Sequence, residues 1–172
     1  MNLTFEKCTI EDLNVLVDIS RDTFVHAFEK QNNPDDFWNY INKAFDENVI
    51  IEQLLNKNSE FYFVYLKNVL VGYFKLNQNE AQTEQFAKRS MELERIYVLK
   101  DFQSQGIGKF MLLKAIDIAK NCKATFIWLG VWQENKKAVR FYETLGFKKF
   151  GSHPYFIGKD KQTDWLMKKR LH

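Results

Sequence analysis

A chain of 172 residues can bury a full core without disulfide or metal staples, and its 45% hydrophobic and 16% aromatic content excludes a disordered or low-complexity polymer. Twenty-five Lys and Arg against 22 Asp and Glu leave a formal charge of +3, too even to argue for a nucleic acid or an anionic membrane as partner. Cys8 and Cys122 show no CxxC spacing and are expected as buried reduced thiols; with no leader-like N-terminus and no apolar run of membrane-spanning length, a soluble cytoplasmic protein is expected.

Leu3 to Cys8 reads as a first strand. In "TIED", Thr9 can cap a helix with Asp12 at the reciprocal capping-box position, and that helix should run to about Glu29. "NNPDDFWNYINKAF" carries Pro34 at a first helical turn and Phe37, Tyr40, Ile41 and Phe45 at helical spacing; a further short helix is expected from Asn48 to Leu55. Two β-branched and aromatic runs between Glu60 and Leu76 flank Lys67-Asn68 and predict an antiparallel hairpin. "NQNEAQTEQFAKRS" is polar enough for a loop, "MELERIYVL" alternates as a strand, and a helix follows "QSQGIGK". "ATFIWLGVW" is a strand, and "NKKAVRFYETLGF" is a helix ended by Gly146 in the left-handed conformation. Two more strand-like runs between Lys148 and Arg170 surround "GKDKQ". No linker or repeat divides residues 1–172, and this order implies a single domain of the α/β class with one mixed sheet.

Gly106-Ile107-Gly108-Lys109 sits at a strand-to-helix junction. A Walker phosphate loop is excluded, because Gln103 stands where its first glycine belongs and Phe110 where Ser or Thr belongs. A dinucleotide fingerprint is excluded by Met111 in place of a third glycine. On the glycines alone, a plain tight turn and a pyrophosphate cradle made of free amides at a helix N-terminus both remain open.

Gln103-x-x-Gly106-x-Gly108 after a strand resembles the coenzyme A pyrophosphate motif of the GNAT superfamily of N-acetyltransferases. Some thirty residues later, Asn135, Ala138, Phe141-Tyr142 and Gly146-Phe147 resemble its second motif. The resemblance covers the whole chain. It implies the GNAT fold, a mostly antiparallel sheet of about seven strands with splayed central strands and helices on both faces. It also implies acetyl-CoA as cosubstrate, with no metal. The backbone of Ile96, Tyr97 and Val98 would then hold the pantetheine, Gln103, Ser104, Gln105, Gly106, Ile107, Gly108 and Lys109 the pyrophosphate, and Asn135 would contact the pantetheine arm.

Acetylating an amine with the pKa of Lys requires removing a proton, at a cost near neutral pH of roughly 4.6 kcal/mol. Tyr142, two turns along its helix from Asn135, is the expected proton donor to the leaving thiolate; a core aromatic is the plainer alternative. Glu92 and Glu94 are the expected proton acceptors, because strict alternation puts them on one strand face with Ile96 and Val98. Ion pairing of that face with Arg95 or Lys100 is the alternative. The cysteines lie outside the motifs, so direct attack in a ternary complex is expected; His26, His153 and His172 have no partner visible in the sequence.

"TFVHAFEKQNNPDDFWNYINKAF", "YVLKDFQSQGIGK", "IWLGVWQENKKAVRFYETLGF" and "QTDWLMKK" together look like the bacterial PaiA-type spermidine/spermine N-acetyltransferases. That resemblance implies a polyamine acceptor, with no nucleic acid and no membrane as partner and with a homodimer allowed. Carboxylates and aromatic faces would suit such a polycation, and Phe28, Glu29, Asp35, Asp36, Trp38 and Tyr40 are available, unless the aromatics serve helix packing. The alternatives are another amine (a protein N-terminus, a lysine, an aminoglycoside) or a non-catalytic acetyl-CoA-binding regulator.

Overall fold

The computed structural model describes residues 2–86 and 89–171. In chain order the elements are β1 (Leu3–Lys7), α1 (Leu13–Phe28), α2 (Pro34–Ala44), α3 (Glu47–Leu55), β2 (Ser59–Leu66) and β3 (Val69–Gln78). They continue with β4 (Ser90–Val98), α4 (Ile107–Asn121), β5 (Phe126–Trp132), α5 (Lys136–Thr144), β6 (Lys148–Ile157) and β7 (Asp160–Arg170). Short polar side chains open the helices. Asp12 accepts the Thr9 amide at 2.7 Å ahead of α1, and Asn33 accepts the Asp35 and Asp36 amides at 3.1 and 3.3 Å just before Pro34. Lys67 and Asn68, at φ 50° and 66°, form the two-residue turn between β2 and β3, the positive pair that matches strand twist.

The seven strands form one sheet in the order β1-β2-β3-β4-β5-β7-β6, with β4 and β5 parallel and every other pair antiparallel. α4 and α5 cover one face, where Met111, Leu112, Ala115 and Val139 pack on Phe74, Met91, Leu93, Ile127 and Leu129. α1, α2 and α3 cover the other face between β1 and β4, where Leu16, Phe24, Phe37, Ile41 and Ile50 meet Phe61, Phe63 and Tyr73. Phe37 and Ile41 are fully buried, one helical turn apart, and fix α2; truncating Ile41 to Ala would cost about 2–5 kcal/mol.

Two irregularities in the central strands shape the molecule. Lys75 pairs with Arg95 and Leu76 with Leu93, so Glu94 is an extra residue, a β-bulge in β4. This corrects the expected alternation. Met91, Leu93, Ile96 and Val98 face the α4 core, whereas Glu92, Arg95 and Tyr97 turn to the opposite side, where Glu94 bonds Lys75 and Asn77. Glu92 and Glu94 therefore do not share a face with Ile96 and Val98. The parallel pairing of β4 with β5 ends at Glu92 and Trp128, two residues short of the bulge, and the remaining ends diverge as far as Val98 and Trp132. The bulge bends β4 away from β5 and opens the sheet at its centre.

Candidate active site

The opened strand ends form one wall system of a cavity of about 730 Å³. Every residue predicted to act in catalysis or to bind the cofactor lines it except Gln105, whose side chain donates to the Asp101 carbonyl at 3.2 Å instead. The Gln103 side chain donates to the Val98 carbonyl at 3.0 Å, tying the loop to the end of β4. Ser104 and Gly106 then adopt φ 62° and 83°, so the chain folds into a concave turn. Among the described residues, the amides of Ser104, Gln105 and Gly106 have no protein acceptor. A Cβ at Gly106 would meet no atom within 4 Å, so glycine serves the left-handed backbone at φ 83° while the protein leaves the space open. Free amides and the positive end of the 15-residue α4 suit an anion, one of the two readings left open, the other being a plain turn.

Asn135 caps α5, its Oδ1 accepting the Ala138 amide at 3.1 Å, and Asn135 also lines the cavity. Tyr142 lies two turns on, and its hydroxyl bonds to no described residue. Burial pushes its phenol up to about 12, so the proton stays on oxygen throughout the neutral range.

Glu92 and Glu94 both line the cavity but differ in state. Glu92, only 3% exposed, accepts the Thr83 hydroxyl at 2.5 Å, the Thr83 amide at 2.8 Å and Asn77 Nδ2 at 3.2 Å. Burial raises its pKa against these donors. Glu94 accepts Lys75 Nζ and Asn77 Nδ2, each at 2.5 Å, and is ion-paired with Arg95, whose Nε lies 3.3 Å away. Burial would raise its pKa too, but Arg95 and Lys75 outweigh it and hold the carboxyl at about 2. Glu94 is thus the ion-paired residue that the alternative reading anticipated, with Lys75 beside Arg95 as partner, and a carboxylate held so low is a poor proton acceptor. Arg95 also lies over the Phe45 ring at 5.3 Å.

Several site residues were not legible in the sequence. The polar loop before β4 is anchored by Phe86, wedged edge-on against Phe126, Trp128 and Phe150, and by Gln82, which accepts Trp128 Nε1 at 2.8 Å and Ser90 Oγ at 2.9 Å. So anchored, the loop delivers Thr83 to Glu92 and Glu84 to His153, whose Nδ1 lies 2.8 Å from Glu84 Oε1. The absence of a visible partner for His153 is thereby corrected; Asp164 Oδ2 lies 3.9 Å from its Nε2. His26 is exposed on α1, and His172 lies outside the described residues. Cys122 is likewise corrected: it is exposed at the end of α4, while Cys8 is buried and pushed up to about 12 by burial, so its thiol stays protonated. Of the six residues named for the acceptor side, Phe28 and Tyr40 line the cavity, and the Tyr40 hydroxyl bonds that of Tyr155. Trp38 instead stacks under Arg21 on the surface, and Asp36 accepts the Lys159 amide.

Among the described residues, no helix is long and apolar enough to cross a membrane. Residues 14–147 match the model of the acetyltransferase (GNAT) family. Over 161 residues the chain is 36% identical to an uncharacterized N-acetyltransferase of Lactobacillus delbrueckii subsp. lactis, covering 94% of this chain and 93% of that protein. Its fold is similar to the crystal structure of PaiA N-acetyltransferase from Thermoplasma acidophilum in complex with coenzyme A, with a TM-score of 0.77, 22% identity and 99% of each chain covered. A spermidine N-acetyltransferase from Vibrio cholerae, in complex with CoA and spermine, superposes with a TM-score of 0.74 at 21% identity, covering 98% of this chain and 95% of that one. A family match over most of the chain, together with a relative aligned nearly end to end, shows that this chain belongs to the acetyltransferase (GNAT) family.

Proposed function

We propose that residues 1–172 act as one acetyltransferase domain that moves the acetyl group of acetyl-CoA to a primary amine of a polyamine such as spermidine or spermine. The observation that carries the donor half is the opened β4–β5 gap leading to a loop of unpartnered amides. An extended pantetheine suits the unpaired edges of Ile96 to Val98, and a pyrophosphate suits Ser104 to Lys109. When bound, acetyl-CoA supplies the activated acyl group, and the chain's own residues do the rest.

Tyr142 donates a hydrogen bond to the departing sulfur. Full transfer of its proton from about 12 to a thiolate near 8.5 would cost roughly 5 kcal/mol, so Tyr142 stabilises the charge, and the sulfur gains its proton from the attacking nitrogen. Glu92 places negative charge on the cavity wall and draws in the ammonium. Glu94, with Lys75 and Arg95, fixes the bulge that keeps the gap open. A polyamine is favoured by acidic groups and aromatic faces lining the same cavity, Glu92 and Asp164 with Tyr40 and Phe28. The superposable polyamine acetyltransferase supports the same reading.

Thiol release with spermidine, spermine, putrescine and lysine tests it. Release is expected to saturate with the polyamines and to stay near background with lysine. Equal or greater turnover of lysine, or none with any polyamine, would remove the polyamine assignment.

A further inference from the structure

We propose that His153, oriented by Glu84 and flanked by Asp164, is the group that accepts the proton from the substrate amine. The inference rests on the acetyl-transfer reading of the cavity. Both carboxylates expected for this task are already committed. Glu92 takes three donors at about three of its four lone-pair positions, and Glu94 is bound by two cations and an amide. His153 has a free acceptor atom.

The ring's two nitrogens are set apart by their surroundings. Nδ1 sits 2.8 Å from Glu84 Oε1, and an ionised carboxylate can only accept there, so the ring proton resides on Nδ1 and the Nε2 lone pair is left available. Asp164 Oδ2, 3.9 Å from Nε2, is too far to hydrogen-bond but close enough to stabilise an imidazolium. The direction of Nε2 is fixed by β5. A Cβ placed on Gly130 would lie 3.3 Å from Asp164 Oδ2 and 3.6 Å from His153 Nε2. Nε2 therefore lies over the backbone of the strand that borders the opened gap, and His153, Asp164 and Gly130 all line the cavity.

The charged groups facing the ring are Asp164 from β7 and Glu84 from the loop before β4, with Glu92 of β4 on the same cavity. Asp164 raises the imidazole above its ordinary value, burial opposes this, and Glu84 adds to the rise. The step balances. The ammonium gives one proton to Nε2, and the freed lone pair forms the C–N bond as the thioester C–S bond breaks. The nitrogen's second proton goes to the sulfur, and the imidazolium returns its proton to water. No oxidant or further reactant is required.

The test is the pH dependence of spermidine acetylation by the full chain, with His153→Gln and Glu84→Gln as variants and acetyl-CoA binding measured separately by calorimetry. Wild type should lose kcat/KM on the acidic side as His153 protonates. His153→Gln should bind acetyl-CoA normally, lose about 100-fold or more in kcat, and regain rate only as the free amine appears at high pH. Glu84→Gln should move the acidic limb to lower pH, a displacement that a purely structural role would not produce. An active wild type whose His153→Gln variant keeps the same limb within a few-fold of its rate would overturn the assignment alone. A wild type that acetylates no amine would remove the acetyl-transfer reading and this assignment with it.

Discussion

The two sides of the cavity are built from different materials. The side proposed for the acetyl donor, from Ile96 to Lys109 and on to Tyr142, consists mainly of main-chain groups held by local geometry: a strand end, a turn at positive φ and a helix N-terminus. The side proposed for the acceptor consists of side chains brought from α1, α2, the loop before β4, β4 itself, and β6 and β7, and it depends on charges that must satisfy one another, among them the buried Lys75–Glu94 pair between β3 and β4. A backbone site tolerates many side-chain changes and is sensitive at its glycines. A side-chain site is sensitive in proportion to the burial of its partners.

The comparison can be broken at four points, beginning with the largest expected effect. Lys75, 5% exposed at its side chain, holds Glu94 from the neighbouring strand. Lys75→Met should destabilise the fold by about 3 kcal/mol and lower the melting temperature by roughly 6–12 °C, measured by calorimetry. Tyr142→Phe should leave melting unchanged and lower kcat about 10- to 100-fold, with little change in either KM, as loss of a hydrogen bond to a developing charge predicts. Gly106→Ala should weaken acetyl-CoA binding about 10-fold through the strained left-handed turn and a methyl group in the cradle, while the KM for spermidine stays within two-fold. Thr83→Val should cost about 1 kcal/mol by removing one donor to Glu92, an effect visible in chemical denaturation.

A fifth expectation concerns acid. The folded-state pKa of Glu94 is depressed to about 2 from an ordinary 4.5, so its contribution is fully present above pH 4.5 and is lost as pH falls towards 2. Stability should therefore decline across that window, and Glu94→Gln should flatten the decline while lowering stability at neutral pH.

The signals for the proposed donor side are local, and the resemblance to the two family motifs, not the glycines alone, gave them a cofactor reading. Gly106 and Gly108 follow a strand, Asn135 caps a helix and Tyr142 lies on its face, all within 40 residues. The hairpin at Lys67-Asn68, the caps around Thr9 and Pro34 and the stop at Gly146 were local in the same way. The acceptor side was not. Glu84, His153 and Asp164 are joined only by the β6–β7 pairing and by a loop whose polar composition conceals the Phe86 anchor. The period-2 rule that grouped Glu92 and Glu94 with Ile96 assumes uninterrupted alternation, and a single extra residue at Glu94 reversed the face. Cys122 was misplaced because an apolar residue at a helix end need not face the core.

The most direct test of this division is amide hydrogen exchange on the full chain, first with coenzyme A and then with coenzyme A and spermidine together. Coenzyme A alone should slow exchange across residues 96–109 and 135–142. Spermidine should then add protection in 79–86 and 153–164, which hold Glu84, His153 and Asp164. Protection by coenzyme A outside the first set, or no added protection from the amine in the second, would contradict the account.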